Sequence, residues 1–171
     1  MAPAPADGAP VAHILGGDDW AAWREIRLRA LRDSPSAFGS TYDRERVFCE
    51  QLWRARLEDP DSVSVLATRD GRAVGIGGGF PDRPGFLHVV AMWVAPLQRG
   101  RGIGHLVLRV LEEEAERRGL RLHLDVATGN DVARRSYERY GFLATGETRP
   151  LREGSPDLVQ RMVLSGRRGC R

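Results

Sequence analysis

The stretch from Phe86 to Gly104, FLHVVAMWVAPLQRGRGIG, decides the fold of this chain. Its first nine residues are an apolar run that predicts a central strand buried on both faces. The glycine-rich turn that follows leads into a segment from Ile103 to Ala115 whose apolar residues have the spacing of one helical face. At such a junction the free N–H groups of the helix N-terminus converge, and glycine lets an anion approach them. The turn predicts a phosphate or pyrophosphate site, although a tight turn that needs glycine only for its geometry explains the same spacing equally well.

The spacing of this turn excludes two better-known phosphate loops. A dinucleotide fingerprint requires G-x-G-x-x-G and a nucleotide P-loop ends in Gly-Lys-Ser/Thr. This chain has glycine at 100, 102 and 104, and all 26 of its basic residues are arginine. A GC-rich genome explains that bias more economically than selection for phosphate binding does.

Outward from this stretch, the sequence alternates between helical and strand periodicity. A helix is expected from Asp18 or Asp19 to about Leu31, and a second from about Asp43 to Leu57, with Val47, Leu52 and Trp53 directed to a core. The hairpin signal Asp70-Gly71 and a turn at 81–85 separate three strands. The predicted strands are 11–15, 62–68, 73–80, 86–94, 121–127, 142–147 and 157–164, and the last two helices are 103–118 and 131–140. This order predicts an α/β (α+β) fold with a mixed sheet and packed helices.

Length and composition limit the remaining classes. The 171 residues suit one domain, expected at 11–165, with disordered tails at 1–10 and 166–171. Cys49 and Cys170 have neither a disulfide nor a metal-ligand pattern, so we expect no metal. Neither a signal peptide nor a membrane span is expected, which predicts a cytoplasmic protein. A net charge of +3 with 23 acidic residues interspersed argues against a nucleic-acid partner.

Two motifs resemble those of the GNAT (GCN5-related) N-acetyltransferase superfamily. Arg99-x-x-Gly102-x-Gly104 is similar to the acetyl-CoA pyrophosphate loop of that family. The segment 130–142 is similar to its N-x-x-A-x-x-x-Y-x-K-x-G-F pattern, with Arg139 in place of the usual lysine. The resemblance implies a central sheet of about seven strands with roughly four helices, and central strands that splay apart to hold acetyl-CoA.

The resemblance also implies site residues. The residues expected to bind acetyl-CoA are Met92, Trp93, Val94, Arg99, Gly100, Arg101, Gly102, Ile103, Gly104, His105, Asn130, Ala133 and Tyr137. The N–H of Val94 would donate to the acetyl carbonyl. Tyr137 is the candidate general acid for the departing thiolate, with a core aromatic as its alternative role. Asn130 could serve both as a helix N-cap and as a ligand-binding residue.

His88 is the candidate base that accepts the proton of the amine. Its place on the central strand, four residues before Met92, matches the base of several family members. Strict period-two alternation puts His88, Val90, Met92 and Val94 on one face, and imidazole titrates in a useful range. A hydrogen-bonded histidine at a strand start is an equally good explanation. Glu45 and Glu50 are the other candidates.

The acceptor is left open by the sequence. An acidic-aromatic wall at 36–50, with Tyr42, Asp43, Glu45 and Glu50, would suit a cation, and a solvated helix face explains the same charges. An N-acetyltransferase acting on a primary amine is the expected function, with a possible homodimer. The alternatives are a non-catalytic acyl-CoA sensor and a nucleic-acid module that uses Arg24, Arg27, Arg29 and Arg32.

Overall fold

The computed structural model describes residues 8–166, which form seven strands and five helices. Most of the expected tail residues, 1–7 and 167–171 with Cys170, lie outside this range. In chain order the elements are β1 (Val11–Ile14), α1 (Trp20–Asp33), α2 (Tyr42–Glu45), α3 (Glu50–Glu58), β2 (Val63–Arg69), β3 (Arg72–Arg83), β4 (Phe86–Val94), α4 (Ile103–Arg117), β5 (Arg121–Ala127), α5 (Asp131–Tyr140), β6 (Phe142–Pro150) and β7 (Leu158–Leu164).

The strands form one mixed sheet in the order β1-β2-β3-β4-β5-β7-β6. Every neighbouring pair is antiparallel except β4 and β5, which are parallel. Parallel neighbours need a crossover connection, and here α4 supplies it. The helix therefore begins directly beyond the carboxyl end of β4, where the glycine-rich turn lies.

The sheet separates two hydrophobic cores. On one face α4 and α5 cover Leu87, Val89 and Leu124, with Leu108 and Leu111 of α4 fully buried. On the other face α1 and α3 cover a second core, built around Ile26, Trp53, Ile76 and Trp93. The central strands contribute to both cores, which is why their sequences are apolar at nearly every position.

The predicted second helix is in fact two short helices. Cys49 has an extended backbone that interrupts the chain between α2 and α3, so the count of helices is five rather than about four. Trp53 is fully buried as expected, but Val47 and Leu52 are 69% and 41% exposed, so their assignment to a core is wrong. The break lets Glu45 turn inward beneath α1, where it pairs with Arg27.

The strand β3 extends further than the sequence pattern predicts, and this changes the position of Asp82. The hairpin at Asp70-Gly71 is confirmed, with positive φ at both residues. The expected turn at 81–85 is shorter, because β3 continues to Arg83 and pairs Pro81 with Leu87. As a result Asp82 lies on the sheet rather than in a loop.

Candidate active site

The parallel pair β4 and β5 is hydrogen-bonded at only one end. Their register runs from Phe86 opposite Arg121 to Val89 opposite Leu124, and no further pair follows between these strands in the part of the chain that the structure describes. The last residues of both strands, 90–94 and 125–127, therefore face a gap. Since Ala95 donates its N–H to the carbonyl of Val74 on β3, the N–H of Val94 points away from β3 and toward this gap.

A bulge in β4 changes which side chains face each core. Ala91 has φ of +58°, and the register of β3 with β4 shifts between Ile76 and Gly78. A bulge adds one residue to a strand and so reverses the alternation beyond it. Leu87 and Val89 consequently share the α4 face with Met92 and Val94.

The prediction that His88 shares a face with Met92 and Val94 is thus wrong. The side chain of His88 is on the opposite face, beside Phe80. Trp93 also lies on that face, in the α1 core, and its indole Nε1–H donates to Asp33 at 2.9 Å. Trp93 can therefore offer an acetyl-CoA site only its main chain.

The glycine-rich turn presents main-chain donors. Gly100 and Gly102 have φ of +73° and +77°, which side chains rarely adopt, and Gly102 is the N-cap of α4. Within residues 8–166, no protein acceptor bonds the N–H groups of residues 103–105, and the first helical bond runs from Leu106 to Gly102. Free N–H groups at a helix N-terminus, together with the helix dipole, favour an anion, so this turn is a candidate anion site.

The side chains of this turn have different surroundings. Arg99 donates to the carbonyl of Val94 at 3.0 Å and pairs with Asp33 at 2.8 Å, so it braces the turn against α1. Arg101 is exposed. Ile103 is buried in the core, and His105 Nε2 donates to the carbonyl of Ser136 on α5. For Ile103 and His105, only the main chain faces the proposed anion site.

A cavity of about 550 Å³ passes through the gap between β4 and β5. On the α4 side it is lined by Met92, Asn130, Ala133 and Tyr137. On the other side it is lined by residues that include Phe38, His88, Asp125 and Arg149. The structure therefore brings the two predicted catalytic side chains, Tyr137 and His88, to one cavity from opposite faces of the sheet. None of residues 99–105 lines this cavity.

The α4 side of the cavity is apolar around Tyr137. Its ring packs edge-on against Phe142 with centroids 5.8 Å apart, and burial raises the pKa of its phenol to about 12. The phenol is therefore protonated at neutral pH and can act as a proton donor. Asn130 accepts the N–H of Ala133 at 3.2 Å, so its role as the N-cap of α5 is confirmed.

On the other side of the cavity, His88 is nearly enclosed. Burial and the neighbouring His123 lower its pKa to about 4, even though Asp125 and Asp82 act in the opposite direction. Oδ2 of Asp82 lies 3.4 Å from Nδ1 of His88, and Oδ2 of Asp125 lies 3.5 Å from Nε2 of the same ring. His88 is thus neutral at pH 7, and the expectation that it titrates in the physiological range is wrong.

Sequence reasoning missed two neighbours of His88. The sequence pattern predicts a turn at Asp82 and a strand at His123, with no site role for either residue. The parallel register pairs His88 with His123, and their rings stack with centroids 4.5 Å apart. One potential ligand atom from each of Asp82, His88 and His123 lies within 4.8 Å of the others, so these residues could hold a metal ion. The three residues are too far apart in sequence to form a recognisable metal-ligand motif.

Residues 36–39 of the predicted acidic-aromatic wall line the cavity, but Tyr42, Asp43, Glu45 and Glu50 do not. Glu45 is buried and accepts two hydrogen bonds from Arg27, at 2.8 and 3.0 Å, with Arg56 3.5 Å away. Asp43 pairs with Arg46, and Glu50 with Arg54. The charged residues that line the cavity are Arg27, Arg56, Asp59, Asp125 and Arg149.

The arginines suggested for nucleic-acid binding are also engaged within the protein. Arg27 is buried on Glu45, and Arg32 donates to the hydroxyl of Tyr42. Arg29 lies over the ring of Trp93, and Arg24 donates to the carbonyl of Arg46. Their charges therefore serve mainly to hold α1 against its neighbours.

An opened parallel strand pair beside a helix N-terminus, with a cavity between the strands, defines a binding site suited to an anionic ligand. The chain belongs to the acetyltransferase (GNAT) family, whose family model matches residues 20–142. It is therefore an enzyme of the N-acetyltransferase type, and the predicted family and fold class are confirmed. Every helix within residues 8–166 is too short or too polar to span a bilayer.

Individual proteins are similar to the chain in sequence or in fold. Acetyltransferase Atu2258 of Agrobacterium fabrum is 32% identical over 124 residues, covering 72% of this chain and 90% of that protein. The structure of yncA from Salmonella typhimurium, solved with its cofactor acetyl-CoA, has a TM-score of 0.74 at 19% identity and covers 92% and 94% of the two chains. Nourseothricin acetyltransferase has a TM-score of 0.58 at 30% identity, covering 63% of this chain and 66% of its own.

Proposed function

We propose that the enzyme transfers the acetyl group of acetyl-CoA to a primary amine by direct attack in a ternary complex. The observation that carries this proposal is the cavity through the gap between β4 and β5, because it gives two ligands access to one point from opposite faces. A thioester could enter from the α4 side and an amine from the side of His88. The reacting atoms would meet in the gap, beside Tyr137.

The residues of the α4 side fit acetyl-CoA. The unbonded N–H groups of residues 103–105 would bind its diphosphate, and the glycines at 102 and 104 leave the main chain accessible. The main chain of Met92 would pair with an amide of the pantetheine arm. Acetyl-CoA, when bound, would supply the acetyl thioester, and CoA would leave as a thiolate that keeps the electron pair of the broken C–S bond.

Each catalytic step then has a candidate group. The N–H of Val94 points into the gap, where it would stabilise the negative charge that develops on the carbonyl oxygen during attack. Tyr137, which is neutral at physiological pH, would protonate the departing sulfur. Both groups are on the α4 side of the sheet or at the gap itself.

His88 is the candidate group for the amine proton. A primary amine whose ammonium form has a pKa near 10.4 is mostly protonated at neutral pH, and the ammonium form cannot attack. A neutral imidazole with a pKa of about 4 is a weak base toward an ammonium ion. It is better suited to accept the proton that the nitrogen loses after attack, when that nitrogen has become much more acidic.

Two measurements test the proposal in sequence. Isothermal titration with acetyl-CoA should give saturable binding, and thiol release should then be followed over a panel of amines. The panel should include nourseothricin, because of the likeness to its acetyltransferase, together with a polyamine, an aminoglycoside and a peptide with a free N-terminus. Binding without turnover of any amine would favour the acyl-CoA sensor, and absence of binding would refute both functions.

A further inference from the structure

A row of side chains crosses three strands on the face of the sheet opposite α4. His123 on β5 donates its Nε2–H to Oδ1 of Asp82 on β3, at 2.7 Å. The other carboxylate oxygen, Oδ2, lies 3.4 Å from Nδ1 of His88, which is on the strand between them. Asp125 lies at the far side of the His88 ring, 3.5 Å from Nε2.

The protonation of His123 follows from this geometry. A carboxylate 2.7 Å from an imidazole nitrogen can only accept, so Nε2 of His123 carries the hydrogen. Nδ1 of His123 then carries a lone pair, and this atom is buried without a hydrogen-bond partner among the described residues. His123 is fully buried and packs edge-on against Phe86, so it holds the carboxylate of Asp82 in one place.

The two carboxylates that flank His88 differ in how far they are already satisfied. Asp125 Oδ2 accepts both Nε and Nη2 of Arg149, and Arg161 binds the same carboxylate through Nε at 3.2 Å. Asp82 accepts only His123, and its Oδ2 has no hydrogen-bond donor within residues 8–166. A neutral imidazole between them is more stable with its N–H toward Asp82, since Oδ2 of Asp82 accepts no other hydrogen bond within residues 8–166, whereas Asp125 already accepts from two arginines.

We propose that Asp82, anchored by His123, is a positioning residue that holds His88 as the Nδ1–H tautomer, so that Nε2 and Asp125 together form the recess for the acceptor amine. In this tautomer the lone pair of Nε2 and Oδ2 of Asp125 face each other as two acceptors. A nitrogen that brings its own N–H groups satisfies both. The recess opens on the cavity that His88, Asp125 and Arg149 line.

The nearby guanidinium groups favour this role over a metal site. Asp125 is paired with two arginines, and the positive charges of Arg161 and Arg83 act on His123. A divalent cation between Asp82, His88 and His123 would be placed close to these charges. The arrangement therefore suits a proton-bearing network better than a metal ion.

The tautomer can be measured without knowing the acceptor. Long-range ¹H–¹⁵N spectra of the labelled protein distinguish Nδ1–H from Nε2–H imidazoles, and His88→Gln assigns the signals among the four histidines. We expect Nδ1–H for His88 in the wild type and a shift to Nε2–H in Asp82→Ala. Asp43→Ala, which removes an exposed carboxylate on α2, is the matched control and should leave the spectrum unchanged. An unchanged His88 tautomer in Asp82→Ala would overturn the proposal.

The kinetic consequence rests on the proposed function and is tested separately, with the amine that gives the fastest turnover. Asp82→Ala should lower kcat on the order of 10-fold while the KM for acetyl-CoA stays the same, and it should add nothing in a His88→Gln background. His123→Gln, whose amide can still donate to Asp82, should retain more activity than His123→Leu. Turnover lost to EDTA and restored by ZnCl₂ would instead show a metal site and overturn the positioning role. If no amine is turned over, the proposed function fails while the tautomer experiment still decides the role of Asp82.

Discussion

Gly104→Ala should raise the stability of the protein and weaken acetyl-CoA binding at the same time. Gly104 lies in the first turn of α4 and does not have a positive φ. A methyl group built there meets only Val94 Cγ2, at 3.8 Å, which is ordinary contact. Alanine in place of glycine in a helix stabilises it by up to about 1 kcal/mol. For a domain of this size, that is a rise in Tm of up to about 2–4 °C.

The same methyl group would occupy the space that a phosphate oxygen needs to reach the N–H groups of residues 103–105. Loss of one hydrogen bond to a charged group costs about 1.5–3 kcal/mol. A Kd for acetyl-CoA weaker by about 10- to 100-fold follows. Thermal unfolding followed by circular dichroism and isothermal titration with acetyl-CoA measure the two effects on the same sample.

Gly119→Ala is the matched control, because it should show the opposite pattern. Gly119 follows the other end of α4 with φ of +71°, and a methyl group there meets nothing within 4 Å. Alanine in this left-handed conformation costs about 1–2 kcal/mol, with no change expected in the Kd. If Gly104→Ala binds acetyl-CoA as tightly as the wild type, the anion site at the start of α4 is refuted.

Three further changes test other parts of the molecule. Tyr137→Phe should lower kcat by about 10²-fold or more with little change in the KM for acetyl-CoA. The control Tyr140→Phe loses the hydrogen bond to Glu112 and should therefore affect stability while leaving kcat unchanged. Equal turnover of Tyr137→Phe and the wild type would contradict the acid role. Glu45→Gln should destabilise the folded protein by about 3 kcal/mol, because Arg27 is left buried without its counter-charge. A urea midpoint equal to that of the wild type would show that the Arg27–Glu45 pair is unimportant for stability. The pKa of His88 is depressed from 6.5 to about 4, so between these pH values the unfolded chain binds a proton that the folded protein does not. The free energy of unfolding therefore falls as the pH drops from 6.5 to 4, by about 3 kcal/mol in full. His88→Gln should remove this dependence, and the same change of stability with pH in both proteins, measured by urea titrations from pH 7 to 4, would contradict the prediction.

Much of the fold is local and could be read from the chain. The extents of β4, β5 and α5 follow from apolar runs and a single capping residue, Asn130. The hairpin follows from Asp70-Gly71, whose conformational preference is intrinsic. The glycine-rich turn was recognisable for the same reason, since Gly100 and Gly102 adopt a backbone conformation that few other residues tolerate.

The arrangement of the side chains around the cavity was decided by tertiary structure. Nothing in the residue type of Ala91 signals a bulge, because its left-handed conformation is imposed by the pairing of β4 with β3. That one extra residue places His88 opposite Met92 rather than beside it. Asp82 enters the site because β3 extends past Pro81, and Glu45 leaves the predicted acceptor wall because Arg27 binds it in the core.

The sequence by itself determined most of the strands and helices, where the glycine-rich turn lies, and the family to which the chain belongs. Only the tertiary structure decided which faces of the sheet the side chains occupy and which charges neutralise one another. The physical reason is that backbone preference and periodicity act over a few neighbouring residues. The register between strands and the pairing of buried charges, in contrast, depend on residues that meet only after the sheet has formed.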